Sequence, residues 1–273
     1  MSDIAKLFER LREQDNKALI GYVTAGDPKP EFTPLIAEAL VKGGVDIIEL
    51  GVPFSDPIAD GPTIQAASVR SLQKGTTPKI VLGMAGEIKR KQSVPVVILT
   101  YFNPVFRMGI KTFFRLAKSF GVDGVVIPDL PIEEAEEYRK IAQNCGVDTI
   151  FLVAPSTSNK RMRKIIACTS GFLYVISHFG VTGAREKLED STFQLVKRVL
   201  PFTTGRIPLA VGFGISKPEH VKSISEVGAD AVIVGSAFVR IIQNHQSDLA
   251  GMLEELEVTA RNLKNATSSA NTF

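Results

Sequence analysis

The sequence predicts a single-domain (β/α)8 barrel, the TIM-barrel fold of the α/β class, and three observations carry that expectation. A Gly-(Val or Ala)-Asp phrase separates an amphipathic stretch from an apolar run four times, beginning at Gly44, Gly121, Gly146 and Gly228. Eight apolar runs of strand length alternate with helical patterns. No Pro/Gly/Ser-rich linker divides the 273 residues, and eight βα units fill ~250 residues. A doubly wound open sheet is the competing topology for the same alternation.

Each element has its own signal. Residues 2–14 place Ile4, Leu7, Phe8 and Leu11 on one stripe, an extra helix ahead of the first strand. Strands are expected at 18–23 (ALIGYV), 47–50 (IIEL), 96–100 (VVILT), 124–128 (GVVIP), 149–153 (TIFLV), 172–176 (FLYVI), 207–211 (IPLAV) and 231–235 (AVIVG). Their continuous apolar character suits strands buried on both faces. Helices are expected at 31–42, 111–120, 132–144, 159–168, 191–200 and 217–227, and 61–92 holds two helical patterns, an inserted helix after strand two. The glycine of the repeated phrase fits a left-handed residue just past a helix end. Asp129-Leu-Pro131-Ile-Glu-Glu and Ser216-Lys-Pro218-Glu combine a capping residue, an early proline and first-turn acids, the marks of a helix start. The barrel is expected to span 1–263, with 264–273 a polar, disordered tail.

Composition narrows the function. The chain is 44% hydrophobic and 22% charged, which supplies a core and argues against global disorder. Lys and Arg exceed Asp and Glu by only 3, too few to suggest nucleic acid as the partner. No apolar run approaches a membrane span, and the first residues are charged rather than leader-like. Cys145 and Cys168 have no metal-ligand spacing, so a reduced, cytoplasmic setting is expected. The three histidines are scattered, and neither a metal nor a nucleotide cofactor is expected.

Barrel chemistry sits at the C-terminal ends of the strands. Glu49 lies inside an apolar run near the exit of strand two. It is either tied by a structural hydrogen bond or is an acid–base group tuned by burial. The next loop holds Asp56 and Asp60 among three prolines; each either closes a turn or presents a carboxylate over the barrel mouth. Glycines follow strands six, seven and eight, at Gly180 and Gly183, Gly212 and Gly214, and Gly235-Ser236. Singly these are ordinary tight turns. Together, on successive strands, they suit a phosphate held by main-chain amides. Tyr22, Leu99, Tyr101, Ile127, Leu152, Tyr174 and Phe213 at strand ends either pack the mouth or line a flat pocket.

These residues resemble the tryptophan synthase α subunit family. The segment ELGVPFSDPIADGPTIQ (49–65) is the most specific match. Gly21-Tyr-Val-Thr-Ala-Gly-Asp27, Tyr101-Phe-Asn-Pro104, Pro128-Asp-Leu-Pro-Ile-Glu-Glu134, Gly180-Val-Thr-Gly-Ala184, Gly212-Phe-Gly-Ile215 and Gly235-Ser-Ala237 extend it. The resemblance implies a lyase of L-tryptophan biosynthesis that cleaves indole-3-glycerol phosphate to indole and D-glyceraldehyde 3-phosphate. It implies Glu49 as acid–base residue and Asp60 as the carboxylate on the ring N–H. Gly183, Gly214, Gly235 and Ser236 would hold phosphate, and Thr182 would sit on the closing loop. Tyr22, Ile64, Leu99, Leu152, Tyr174 and Phe213 would frame the indole. The family works as an α2β2 complex, so Pro53, Asp56, Pro57, Asn103, Phe106 and Pro131 would face a β subunit. Pyridoxal phosphate would belong to that partner, leaving no cofactor in this chain. Tyr22 departs from a frequent Phe, and His178-Phe179 from smaller or basic residues. Rival readings are a phosphate-binding epimerase, an indole-glycerol-phosphate synthase and a non-catalytic regulatory barrel. The first lacks a His/Asp metal set, the second a strand lysine, and the third leaves Glu49 and Asp60 without a purpose.

Overall fold

A computed structural model describes residues 1–176, 190–212 and 214–268. Within it the four glycines of the repeated phrase take positive φ, at +97°, +77°, +65° and +105°, a conformation other residues adopt at a cost. The aspartate of the phrase has a task that the strand pattern did not announce. Asp46, Asp123 and Asp230 each accept a hydrogen bond at 2.8 Å from a backbone N–H at the start of the preceding strand, at Leu19, Val96 and Leu209. Gly-x-Asp therefore ends a helix and ties the strand it enters to its neighbour. The fourth copy lacks this bond: Asp148 Oδ2 is buried without a partner, and the strand this copy enters is tied forward instead, Ser170 Oγ accepting from Thr149 N.

The elements run α1 (Asp3–Glu13), β1 (Ala18–Thr24), α2 (Thr33–Lys42), β2 (Ile47–Gly51), α3 (Pro62–Gln73), α4 (Pro78–Lys91), β3 (Val96–Leu99), α5 (Phe102–Met108), α6 (Ile110–Ser119) and β4 (Gly124–Val126). They continue through α7 (Glu136–Cys145), β5 (Asp148–Ile150), β6 (Leu152–Val153), α8 (Asn159–Cys168), β7 (Leu173–Ile176), α9 (Asp190–Thr203), β8 (Leu209–Gly212), α10 (Pro218–Glu226), β9 (Ala231–Val234), α11 (Ser236–Asn244) and α12 (Leu249–Asn265). All strand pairs are parallel, in the order β5-β4-β3-β2-β1-β9-β8-β7-β6. The expected fifth strand is thus two segments broken at Phe151. Its first half pairs with β4 and its second with β7, which is where the barrel closes. The Phe151 carbonyl already accepts from Tyr174 N at 3.0 Å.

Alternate residues line the interior. Ile20, Ile47, Val97, Val126, Ile150, Phe172, Ala210, Ala231 and Ile233 form the inner core, and Ile4, Leu7, Phe8 and Leu11 of α1 plug its N-terminal end. The opposite faces, with Leu19, Ile48, Ile98 and Val125, pack under the helices. At roughly 1.5–3 kcal/mol per buried large apolar side chain, the α1 stripe is a substantial part of the barrel floor.

Four expectations change in detail. Asp129 does not cap its own helix: its carboxylate accepts from Phe102 N at 2.9 Å and fixes the start of α5 instead. Its own segment opens with a 3-10 turn, Ile132–Glu134, before α7. Ser216 is no N-cap either, since α10 opens at Pro218 with Lys217 in that place. The helix expected at 111–120 is preceded by another, α5, which carries Asn103 and Phe106. Residues 264–268 belong to the barrel rather than to a tail. Lys264 Nζ donates to Asp46 at 2.7 Å and to the Lys17 carbonyl at 2.9 Å, and Thr267 is buried. No helix among the described residues is long and apolar enough to cross a membrane.

Candidate active site

The C-terminal mouth of the barrel opens into a cavity of about 550 Å³. Tyr22, Asp60, Ile64, Leu99, Leu152, Tyr174, Gly214, Gly235 and Ser236 all line it, so strands and loops far apart in sequence bring these expected residues together. Thr182, Gly183 and Phe213 lie outside the described residues.

Glu49 forms the inner wall rather than the open surface. Strand alternation points it into the barrel, above Ile47 and in register with Tyr22 on β1 and Val97 on β3. Its exposure is 0%, and neither carboxyl oxygen has a hydrogen-bond partner. Burial without a partner penalises the charged form, and it raises the Glu49 pKa to about 8. The structural alternative, an inward Glu tied by a hydrogen bond, therefore does not describe this residue. Burial therefore favours the neutral, protonated form of Glu49.

Asp60 is held differently. The loop after β2 is stiffened by Pro53, Pro57 and Pro62. Its far end is stapled where Gln65 Nε2 donates to the Asp60 carbonyl at 2.8 Å. Burial raises the Asp60 carboxyl to about 6, with a hydrogen bond from the Tyr101 hydroxyl working against that rise. The same phenol oxygen accepts from Ala59 N at 3.0 Å, and its ring stacks on Phe54 at 5.2 Å. Tyr101 thus pins the carboxylate loop from the end of β3. The sequence offered it only as a possible lining aromatic, because a ring at a strand end does not announce where its hydroxyl goes.

Across the mouth, Gly214 has φ +67° and Gly235 sits at the N-cap of α11, whose first residue is Ser236. A Cβ on Gly235 would stand 3.1 Å from the Tyr22 ring. The free N–H groups of the α11 N-terminus lie beside the cavity, an arrangement suited to an anion. Among the described residues no three His, Cys, Asp or Glu are grouped to hold a metal.

The rim is uneven. Asp56, Asn103 and Pro131 are exposed and Pro57 is half-buried, while Pro53 is buried beneath the loop. Phe106 is 64% exposed, and Ile58, which the sequence reading passed over, is 81% exposed.

A parallel barrel with a buried, partnerless carboxyl in its wall, a second carboxyl on a rigid loop and a glycine-lined helix N-terminus at one cavity has the make-up of a barrel enzyme. The family model described as tryptophan synthase alpha chain matches residues 8–268. The tryptophan synthase alpha chain of Solibacter usitatus is 47% identical over 266 residues, covering 97% of each chain. A Mycobacterium tuberculosis tryptophan synthase structure superposes with TM-score 0.89 at 34% identity, over 97% of this chain and 98% of that one. A chain of the Pyrococcus furiosus tryptophan synthase α2β2 complex superposes with TM-score 0.86 at 41% identity, over 92% and 99%. The chain belongs to the tryptophan synthase alpha chain family. It is a lyase, and its activity is the α reaction of L-tryptophan biosynthesis, which releases indole from indole-3-glycerol phosphate for use by a β subunit.

Proposed function

We propose that Glu49 and Asp60 divide the work of this retro-aldol cleavage according to their ionisation. The carrying observation is the different holding of two carboxyls, Glu49 fully buried with no hydrogen-bond partner and raised to about 8, Asp60 hydrogen-bonded by the Tyr101 hydroxyl and raised to about 6. Between those values Glu49 is an acid and Asp60 an anion, the split that acid–base catalysis at neutral pH needs. Glu49 gives its proton to C3 of the indole ring, leaving a carboxylate and a cationic ring. Asp60 accepts the ring N–H and stabilises that positive charge in a site shielded from water. The Glu49 carboxylate then takes the proton of the side-chain hydroxyl as the carbon–carbon bond breaks. Its electron pair returns to the ring, indole leaves neutral, and the aldehyde of D-glyceraldehyde 3-phosphate forms.

Tyr22, Ile64, Leu99, Leu152, Tyr174 and Phe213 frame the ring. Gly183, Gly214, Gly235 and Ser236 offer amides to the phosphate, and Thr182 serves the loop that closes the site. The chain works with a β subunit in an α2β2 complex, in the cytoplasm, through the rim formed by Pro53, Asp56, Pro57, Asn103, Phe106 and Pro131. Pyridoxal phosphate is the β partner's cofactor, and this chain needs none. Glu49→Gln should abolish release of indole and glyceraldehyde 3-phosphate, with substrate binding kept within a few-fold. Retained turnover would overturn the assignment.

A further inference from the structure

The hydroxyl of Tyr22 has no place in the proposed mechanism, and its position in the barrel wall is unusual. Residues two apart on a strand share a face, so Glu49 and Gly51 both face the interior of β2. A Cβ built on Gly51 would fall 2.1 Å from the Tyr22 phenol oxygen and 2.6 Å from its ring carbon Cζ. The phenol therefore fills the inward place of Gly51, the next position along β2 from Glu49. Tyr22 is also the register partner of Glu49 across the β1–β2 ladder. Its hydroxyl is committed only weakly, in a 3.4 Å contact with Thr24 Oγ1. Glu49 meanwhile has two buried oxygens without a partner.

We propose that Tyr22 is a positioning residue for the acid–base carboxyl: its hydroxyl gives up Thr24 and donates a hydrogen bond to the Glu49 carboxylate, which swings to meet it whenever turnover leaves that carboxyl ionised. This rests on the reading of Glu49 as the acid–base group. The phenols facing that part of the interior are Tyr22 from β1 and Tyr174 from β7, the latter resting over Gly212 of β8. The nearby loop contributes the acid Asp60, and burial is what governs the Glu49 ionisation. Both phenols are held protonated by burial and by the neighbouring carboxyls, so each can only donate to an anion. A phenylalanine at position 22 would keep the ring against Gly51 and Gly235 but would offer the anion nothing.

The test compares the full-length chain with Tyr22→Phe, each with its β partner, across the pH range. A hydrogen bond to a carboxylate changes its ionisation by about one pH unit. Tyr22→Phe should therefore move the alkaline limb of kcat/KM up by about one unit and lower kcat about tenfold, with KM nearly unchanged. Infrared titration of the Glu49 carboxyl band, identified by its loss in Glu49→Gln, should show its midpoint moving the same way. An unchanged midpoint and limb would overturn the inference while leaving the role of Glu49 intact. If instead Glu49→Gln still cleaves substrate, the acid–base reading fails, and the infrared midpoint alone decides whether Tyr22 holds the carboxylate.

Discussion

In the proposed cleavage, the outcome turns on where two carboxyl groups keep their protons. Glu49 titrates near 8 because nothing solvates its anion, and Asp60 near 6 because a phenol partly offsets its burial. Activity should rise as Asp60 ionises through about pH 6 and fall as Glu49 deprotonates through about pH 8, giving a bell in kcat/KM. Tyr101→Phe removes the donor to Asp60, so its pKa rises and the acid limb should move to higher pH, narrowing the bell. A Tyr101→Phe profile that overlays the wild type would show that the phenol does not govern Asp60. Folding is linked to the same proton. The native state holds it on Glu49 from about pH 4.5 to 8, where the unfolded chain has lost it, so ionisation of the unfolded state costs native stability across that window. Glu49→Gln has no such proton to hold. Its stability relative to wild type should grow by about 3 kcal/mol between pH 4.5 and 7 and level off above about 8. Urea unfolding at several pH values measures this, and a pH-independent difference would contradict the buried-acid picture.

At the level of elements, the repeated Gly-x-Asp phrase let the barrel be read from sequence, since glycine ends each helix and the apolar run begins a strand. What escaped was every bond whose partner lies far along the chain. Asp129 looked like the cap of the helix it precedes but serves α5, 27 residues earlier. The seven-residue α5, closed by Gly109 at φ +83°, is too short to show helical periodicity. The partnerless state of Glu49 was legible only as a carboxylate in an apolar run; its ionisation needed the surrounding strands. Asp27 and Arg70 carry no local signal at all. They form a bidentate pair at 2.7 Å that ties the β1 loop to α3, the helix entered just after Asp60, with Asp27 fully buried. Burial outweighs Arg70 and leaves the Asp27 pKa raised, as expected of a pair whose attraction does not repay its desolvation. Arg70→Met should destabilise the fold by about 3 kcal/mol by stranding that carboxylate. Adding Asp27→Leu should recover much of the loss. A double variant no more stable than Arg70→Met would mean that packing of the arginine stem, not the stranded charge, sets the cost.

Across the whole molecule, the N-terminal end of the barrel is sealed and the C-terminal rim is left apolar. The floor is closed by α1, and α12 is locked on by Lys264. Exposed Ile58 and Phe106 stand on the rim with Asp56, Asn103 and Pro131. This rim is mechanically close to the chemistry, because Phe54 of the same loop stacks on Tyr101, whose hydroxyl holds Asp60. A β subunit seated there would bear on the loop that positions the carboxylate, while Glu49, set in the barrel wall, would not move. Partner binding should therefore act through Asp60 placement and leave the Glu49 limb of the pH profile unchanged. Phe106→Ala should weaken association with β by about 1–3 kcal/mol, the range for truncating an exposed aromatic that a partner covers. Turnover of the isolated chain should stay within about twofold, since Phe106 does not line the cavity. Asp56→Asn should reduce activation by β more than it reduces affinity, because Asp56 sits on the loop itself. Titrating β into each variant while following indole release separates affinity from activation. Equal loss of turnover with and without β would place these residues in the fold of the loop rather than in its coupling to the partner.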